Sequence, residues 1–248
     1  MAQVEKIAGG YTTTSGPLFS RRGYLLFNDF PVNRILKWQR GEVSLFRGNS
    51  RGAVSNTFDH QGRLLTCESD RVTRTEKDGR ITELAGGLKG PVDLVYAIDG
   101  SIDVADSPAC VVYQISRGGQ LKPVARDCER PVGVALAPNQ QRLFVTDHAR
   151  RQIRVYDVAG DGALRGGRLF ASCDEQPFSL KTDESGDVWL ACGAGIRHFD
   201  RAGKSLELIA LPEHARGCNW GEGFQDLYVT ATSSVYRVRT TAKGTRTY

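Results

Sequence analysis

The fold is decided by a stretch near the middle of the chain, Gly133–His148, which reads GVALAPNQQRLFVTDH. A polar turn, PNQQ, separates two short apolar runs, and the second run ends in Thr-Asp. Short runs that are rich in β-branched and aromatic residues and bounded by turn residues are typical of strands. The stretch is therefore predicted to form a β-hairpin.

The same pattern recurs on both sides of this hairpin. An apolar run, a polar turn that contains Gly, and a second run that usually ends in a polar residue appear in Pro17–Asp29, Ser55–Ser69, Asp93–Ser107, Ser179–Gly193 and, more loosely, Asn219–Ala231. The copies are spaced by roughly 40 residues, which is a period of β-propellers. A blade cannot bury its faces alone, so such repeats are expected to pack into a closed ring.

A third, alternating segment follows each hairpin, as in RILKWQ from Arg34 and SVYRVR from Ser234. Alternation of apolar and polar residues predicts strands with one buried face. The sequence thus predicts an all-β fold, a six-bladed propeller with four antiparallel strands per blade. The last copy is short of a strand, and the N-terminal segment AQVEKIA is expected to supply it. Residues 1–248 are predicted to form a single domain.

Composition argues against several classes of protein. The 33 basic and 28 acidic residues are interleaved, and the net charge of +5 is not gathered into a dense basic cluster, so no nucleic-acid partner is expected. No stretch approaches the ~18 apolar residues of a membrane span, and no secretory signal is visible. The six cysteines have no CxxC spacing. A cytoplasmic location with reduced thiols is therefore expected.

Three segments carry a resemblance to a known family. GRLLTCESDRVTRTEKDGRITEL from Gly62, GPVDLVYAIDGSIDVAD from Gly90 and RPVGVALAPNQQRLFVTD from Arg130 resemble consecutive blades of the family that includes senescence marker protein, gluconolactonase and bacterial lactonases. The resemblance covers nearly the whole chain, with the motifs in the right order. It implies a propeller with one divalent cation, commonly calcium, on its axis, used to hydrolyse a lactone or phosphoester.

This chain departs from the family's pattern at the metal ligands. The resemblance aligns the family's Glu before Gly-Pro with Ser15, its Asn residues after Pro with Val92 and Val132, and its Asp after Pro with Phe178. Val54 and Cys218 fall at the corresponding level of two further blades. Since Val and Phe cannot coordinate calcium, we predict no metal and no cofactor. We expect instead an apolar axial pocket whose substrate-binding residues are Ser15, Val54, Val92, Val132, Phe178 and Cys218.

Polar residues at the ends of the second strands are the candidates for chemistry. Asp106, Asp147 and His148 are expected at the mouth of this pocket, where a carboxylate with a raised pKa or a histidine titrating near neutrality can transfer protons. The competing interpretation is that these aspartates accept backbone hydrogen bonds in turns.

Three functions remain open. The first is metal-free acid–base chemistry on a small, largely apolar organic molecule. The second is lactone or ester hydrolysis, which the resemblance implies, with Asp147 and His148 in place of the metal. The third is non-catalytic binding of a small molecule. The only partner expected in each case is that small molecule, with no nucleic acid and no membrane.

Overall fold

Strands account for almost all regular structure in this protein. The computed structural model describes residues 2–245, and these contain 24 strands and two short 3₁₀ turns, Phe30–Val32 and Glu222–Phe224. The strands form six four-stranded antiparallel sheets, the blades of a six-bladed β-propeller. The predicted fold class is confirmed. None of the helical segments in these residues has the length or apolar character to span a membrane.

The first three blades each follow chain order, after an N-terminal strand, β1 Gln3–Gly9, that belongs to the last blade. The bounds of blade 1 are β2 Thr14–Ser20, β3 Tyr24–Asp29, β4 Arg34–Gln39 and β5 Glu42–Arg47. Those of blade 2 are β6 Ser55–Phe58, β7 Leu64–Glu68, β8 Arg71–Thr75 and β9 Ile81–Gly86. Those of blade 3 are β10 Pro91–Tyr96, β11 Ile102–Asp106, β12 Val111–Ile115 and β13 Leu121–Ala125.

The remaining blades repeat this plan. The bounds of blade 4 are β14 Pro131–Leu136, β15 Arg142–Asp147, β16 Gln152–Val158 and β17 Leu164–Ser172. Those of blade 5 are β18 Pro177–Thr182, β19 Val188–Cys192, β20 Gly195–Phe199 and β21 Ser205–Ala210. Blade 6 contains β22 Gly217–Trp220, β23 Asp226–Thr230 and β24 Ser234–Arg239, and β1 is its fourth strand.

The N-terminal strand completes blade 6, as the sequence predicts. β1 pairs antiparallel with β24, from Gln3 opposite Arg239 to Gly9 opposite Ser234. Glu5 on β1 also accepts two hydrogen bonds from the guanidinium of Arg237. Residues from both ends of the chain therefore close one sheet.

The chain divides into two compact units, one of residues 2–54 and 178–245, the other of Ser55–Pro177. The prediction of one domain over residues 1–248 stays a prediction. In the second unit, buried residues of blades 3 and 4 share one apolar cluster that includes Val112, Val134 and Leu143. In the first unit, Phe27 of blade 1 packs with Tyr228 of blade 6. Within each unit the core thus lies between adjacent blades, where neither blade could bury it alone.

Candidate functional site

The predicted catalytic residues lie at one edge of blades 3 and 4. Antiparallel pairing places Pro91 opposite Asp106 in blade 3 and Pro131 opposite Asp147 in blade 4. First strands begin and second strands end at this edge. We call it the site edge, and it comprises residues 90–92, 106–107, 130–132 and 147–148.

Val92 and Val132 occupy equivalent irregular positions at the site edge. In each blade the strand register shifts across this valine, between Pro91 and Asp93 and between Pro131 and Gly133. A bulge of this kind re-aims a side chain relative to the flanking strand residues. Both valines are half-buried. The bulges therefore set apart two of the six positions that the sequence assigns to substrate binding.

The other four predicted substrate-binding residues all belong to the first unit. Ser15 is the second residue of β2, and its Oγ accepts a hydrogen bond from Asn28 Nδ2 at 3.5 Å. Val54 is half-buried and directly precedes β6. Phe178 is half-buried on β18, with the guanidinium of Arg216 5.7 Å from its ring centroid. Whether these side chains line one pocket stays a prediction.

Cys218 has contacts that explain its position by packing. It is 1% exposed within an apolar cluster of blades 5 and 6. Its thiol lies 3.6 Å from the carbonyl oxygen of Trp189 and 3.9 Å from that of Ser179, close enough for weak S–H donation. The assignment of Cys218 to substrate binding stays a prediction beside this structural role.

Asp147 holds the loop that leads into β14. Its Oδ2 accepts a hydrogen bond from the Glu129 amide at 2.9 Å and its Oδ1 one from the Arg130 amide at 3.1 Å. The guanidinium of Arg150 lies 3.6 Å from Oδ2. Asp147 itself is fully buried. These contacts match the alternative interpretation, backbone hydrogen bonding, and its role in proton transfer stays a prediction.

Asp106 holds the corresponding loop of blade 3 with fewer contacts. Its Oδ2 accepts a hydrogen bond from the Lys89 amide at 2.7 Å. Its Oδ1 is buried and has no hydrogen-bond partner among residues 2–245. Leaving a buried acceptor unsatisfied costs free energy, about 1–3 kcal/mol for a neutral group and more for a charged one. Asp106 Oδ1 is therefore an unused acceptor in this structure, and the role of Asp106 in proton transfer stays a prediction.

An aspartate at the end of a second strand also holds the preceding loop in the first unit, so this arrangement is a property of the repeat. Asp29 ends β3, is fully buried, and its Oδ1 accepts hydrogen bonds from the amides of Thr12 and Thr13. Its Oδ2 pairs with Arg34 at 2.8 Å. Strand-end aspartates that hold the preceding loop are thus a structural feature in blades 1, 3 and 4.

His148 has a defined tautomer at the site edge. The residue is 7% exposed, and its amide donates to the Arg130 carbonyl at 2.9 Å. Its Nδ1 lies 2.9 Å from the carbonyl oxygen of Pro177. A carbonyl oxygen only accepts hydrogen bonds, so Nδ1 carries a proton and the lone pair of the neutral ring is on Nε2. This arrangement orients the ring and makes Nε2 the basic atom.

Asp93 is a residue whose importance the sequence did not reveal. Its Oδ1 accepts hydrogen bonds from Ser55 Oγ at 2.6 Å and from the Leu94 amide, while its Oδ2 accepts one from the Val134 amide at 3.2 Å. One buried carboxylate on β10 therefore joins the first strands of blades 2, 3 and 4. The signal present in the sequence was an Asp directly after Pro-Val, at the start of an apolar run.

One cluster outside the site edge has the composition of metal ligands. Among the described residues, Asp183, Asp187 and His198 place potential ligand atoms within 4.8 Å of one another. Asp183 Oδ2 accepts a hydrogen bond from the indole of Trp189, and His198 Nε2 lies 3.1 Å from Asp187 Oδ2. Amides of the turn donate to Asp183 Oδ1. These bonds account for the cluster without an ion.

The family's calcium does not fit the residues at the corresponding positions. Val92, Val132 and Phe178 have no side-chain oxygen, and Ser15 offers only a hydroxyl. Calcium takes about 6–8 oxygen ligands, with carboxylates to balance its charge. The prediction that these positions bind no metal therefore rests on the chemistry of the side chains.

Comparisons with known proteins agree with the fold and the resemblance. The family model described as "SMP-30/Gluconolactonase/LRE-like region" matches residues 13–233. A gluconolactonase of Zymomonas mobilis is 25% identical, and the match covers 97% of this chain and 82% of that protein. Among solved structures, a gluconolactonase of Xanthomonas campestris superposes with a TM-score of 0.91 at 28% identity, over 96% of this chain and 89% of that one.

A solved structure of lower sequence identity belongs to a calcium-binding protein. Regucalcin of Agrobacterium tumefaciens, described as a calcium-binding protein, superposes with a TM-score of 0.83 at 13% identity, over 94% of this chain and 92% of that one. Similarity at this level shows a shared fold alone. It carries no calcium site over to this chain.

Proposed function

Because this chain belongs to the SMP-30/gluconolactonase/LRE-like family, we propose that it hydrolyses a small, largely apolar lactone or ester by metal-free acid–base chemistry at the site edge. One observation carries the proposal. Nδ1 of His148 donates to the Pro177 carbonyl, which assigns the lone pair of the neutral ring to Nε2. A histidine held in this way is suited to act as a general base.

The apolar residues define the substrate class. The resemblance aligns Val92 and Val132 with polar residues of the family, and both valines lie at bulges near the start of the first strands of blades 3 and 4. Burial of apolar surface is favourable by roughly 25 cal/mol per Å² removed from water. An apolar substrate body therefore binds against the valines, with its acyl group toward His148.

The proposed reaction is balanced by one water molecule. His148 Nε2 takes a proton from the water as its oxygen attacks the acyl carbon. The bond between that carbon and the ring or ester oxygen breaks, and the imidazolium returns the proton to the departing oxygen. The products are a hydroxy acid from a lactone, or an acid and an alcohol from an ester.

A histidine substitution tests this assignment. His148→Ala is expected to lower kcat about 10²–10⁴-fold with a smaller change in KM, because the loss of a general base slows the chemical step. Hydrolysis of apolar lactones is measured for both proteins, and added imidazole is expected to restore part of the variant's activity. His214→Ala, a change at an exposed loop histidine, is the matched control and should retain wild-type activity. If His148→Ala is as active as wild type, the assignment is wrong.

Non-catalytic binding is the second candidate. The contacts of Asp147 favour it, because this carboxylate is occupied in holding a loop. Binding of apolar lactones without turnover in wild type, with affinity unchanged in His148→Ala, is the result that supports it. The cytoplasmic location and the absence of nucleic-acid and membrane partners remain predictions.

A further inference from the structure

A separate cleft lies at the end of blades 2 and 3 that is opposite the site edge. It has a volume of about 360 Å³ and lies among the turns that connect β6 to β7, β10 to β11 and β12 to β13. Ile102 lines it, and Ile102 is four residues before Asp106 on β11, roughly 13 Å away in an extended strand. The volume lies at the lower end of the range of small-molecule sites. The cleft is therefore distinct from the proposed catalytic site.

Apolar side chains form part of the lining of the cleft. Leu65, Ile102 and Ile115 line the cleft and are almost completely buried. Ile98 lies in the β10–β11 turn, also lines the cleft and is 62% exposed. A ligand that covers Ile98 would remove this apolar surface from water, which is favourable.

Two arginines in the cleft are neutralised by carboxylates of the protein. Arg63 donates to Asp59 at 2.7 Å and to Glu76 at 3.3 Å. Arg74 donates to the other oxygen of Glu76 at 2.7 Å. These four residues form a connected ion network of blade 2, so their charges are already compensated.

Arg117 differs from these two arginines. Its aliphatic stem lies against Gly100, where an added β-carbon would be 3.4 Å from its Cγ and Cδ, and its side chain is exposed at the cleft. Within residues 2–245 it forms no ion pair. Arg117 is therefore a cation of the cleft lining that remains available to pair with an anion.

We propose that this cleft binds a small organic carboxylate with a ring-shaped or branched apolar body. The Arg117 guanidinium matches a carboxylate, since the two groups form paired, charge-assisted hydrogen bonds. The apolar body packs against the exposed side chain of Ile98. Tyr96, whose hydroxyl lies 3.1 Å from His60 Nδ1, adds an aromatic face and a polar atom to the wall.

Titration with benzoate tests the proposal. Addition of benzoate to ¹⁵N-labelled protein is expected to shift the amide signals of Gly100 and Gly119, which line the cleft, and to leave that of Gly133 in place. Arg117→Gln is expected to weaken benzoate binding at least about tenfold, because it removes a charge-assisted pair. Arg22→Gln, at an exposed turn of blade 1, is the matched control and should bind as wild type does.

Two further compounds separate the contributions of charge and apolar surface. Benzamide, which keeps the ring but lacks the charge, and inorganic phosphate, which has charge but no apolar body, should both bind more weakly than benzoate. Benzoate binding that is equal in Arg117→Gln and wild type, or no binding at about 10 mM, overturns the proposal. Binding of phosphate as tightly as benzoate overturns the assigned ligand class. His148→Ala should not change benzoate binding, so this result is independent of the proposed catalysis.

Discussion

At the residue scale, the buried carboxylates differ in the hydrogen-bonding capacity that they have left. Asp29 and Asp147 have amide donors on their oxygens, and Asp93 joins three blades. Asp106 differs, because its Oδ1 has no partner in the described chain. The buried aspartates therefore divide into those whose two oxygens are both occupied and Asp106, which holds a loop through Oδ2 and has an unused acceptor in Oδ1.

Asp103 gives a prediction about pH. Burial raises the pKa of this carboxyl to about 7, although Gln114 donates to it and opposes the shift. A folded-state pKa above the ordinary value of 3.8 means that the folded protein retains a proton that the unfolded chain releases. Stability is therefore expected to fall as the pH rises from about 4 to 7.

Replacing the carboxyl with an amide should remove this penalty. Asp103→Asn keeps an oxygen that can accept from Gln114 and is expected to be about 1–3 kcal/mol more stable than wild type at pH 8. The difference should become small near pH 4, where the folded wild-type group is protonated at little cost. Urea unfolding at both pH values measures it. A difference that is the same at pH 4 and pH 8 would contradict the assignment of the shift to Asp103.

At the element scale, the repeat determines most of the fold. Each hairpin has a polar turn between short apolar runs, and every run predicted as a third strand, from Arg34 to Ser234, is a strand in the structure. The turns and apolar runs are local patterns of sequence, so the strands that they form can be predicted without knowledge of distant contacts. The bulges at Val92 and Val132 are also consistent with the Pro before each of them, since proline interrupts the regular pairing of a strand.

The prediction at this scale concerns the contribution of β1 to the stability of the protein. Deleting residues 1–9 exposes the edge of β24 and removes the contacts of Ile7 with the apolar cluster shared by blades 1 and 6. The free energy of unfolding is expected to drop by about 2 kcal/mol or more. A synthetic peptide of residues 1–11, added in excess, should restore part of the loss by pairing with β24.

A single substitution on the same strand serves as the control. Val4→Ser changes an exposed side chain of β1 and should alter stability by less than about 0.5 kcal/mol. A deletion variant as stable as wild type would show that β1 does not contribute to closing blade 6.

At the scale of the whole molecule, fold and site differ in how far they can be read from sequence. The blades follow from repeated local patterns. The role of Asp147 does not, because its amide donors at Glu129 and Arg130 lie in the loop before the preceding strand. The tautomer of His148 likewise depends on Pro177, far along the chain. The contacts of Asp147 and His148 are hydrogen bonds between residues that are distant in the sequence. Hydrophobic periodicity does not predict contacts of this kind.

The central claim of the proposed function is that hydrolysis in this chain needs no metal, in contrast to the calcium-dependent pattern that the family resemblance implies. It is tested most directly by measuring lactone hydrolysis and metal content on the same protein before and after exhaustive chelation. We predict well under one equivalent of divalent cation, with kcat/KM and Tm unchanged by chelation, because an ion that does not bind cannot stabilise the folded state. Activity that disappears on chelation and returns with added calcium would contradict this prediction.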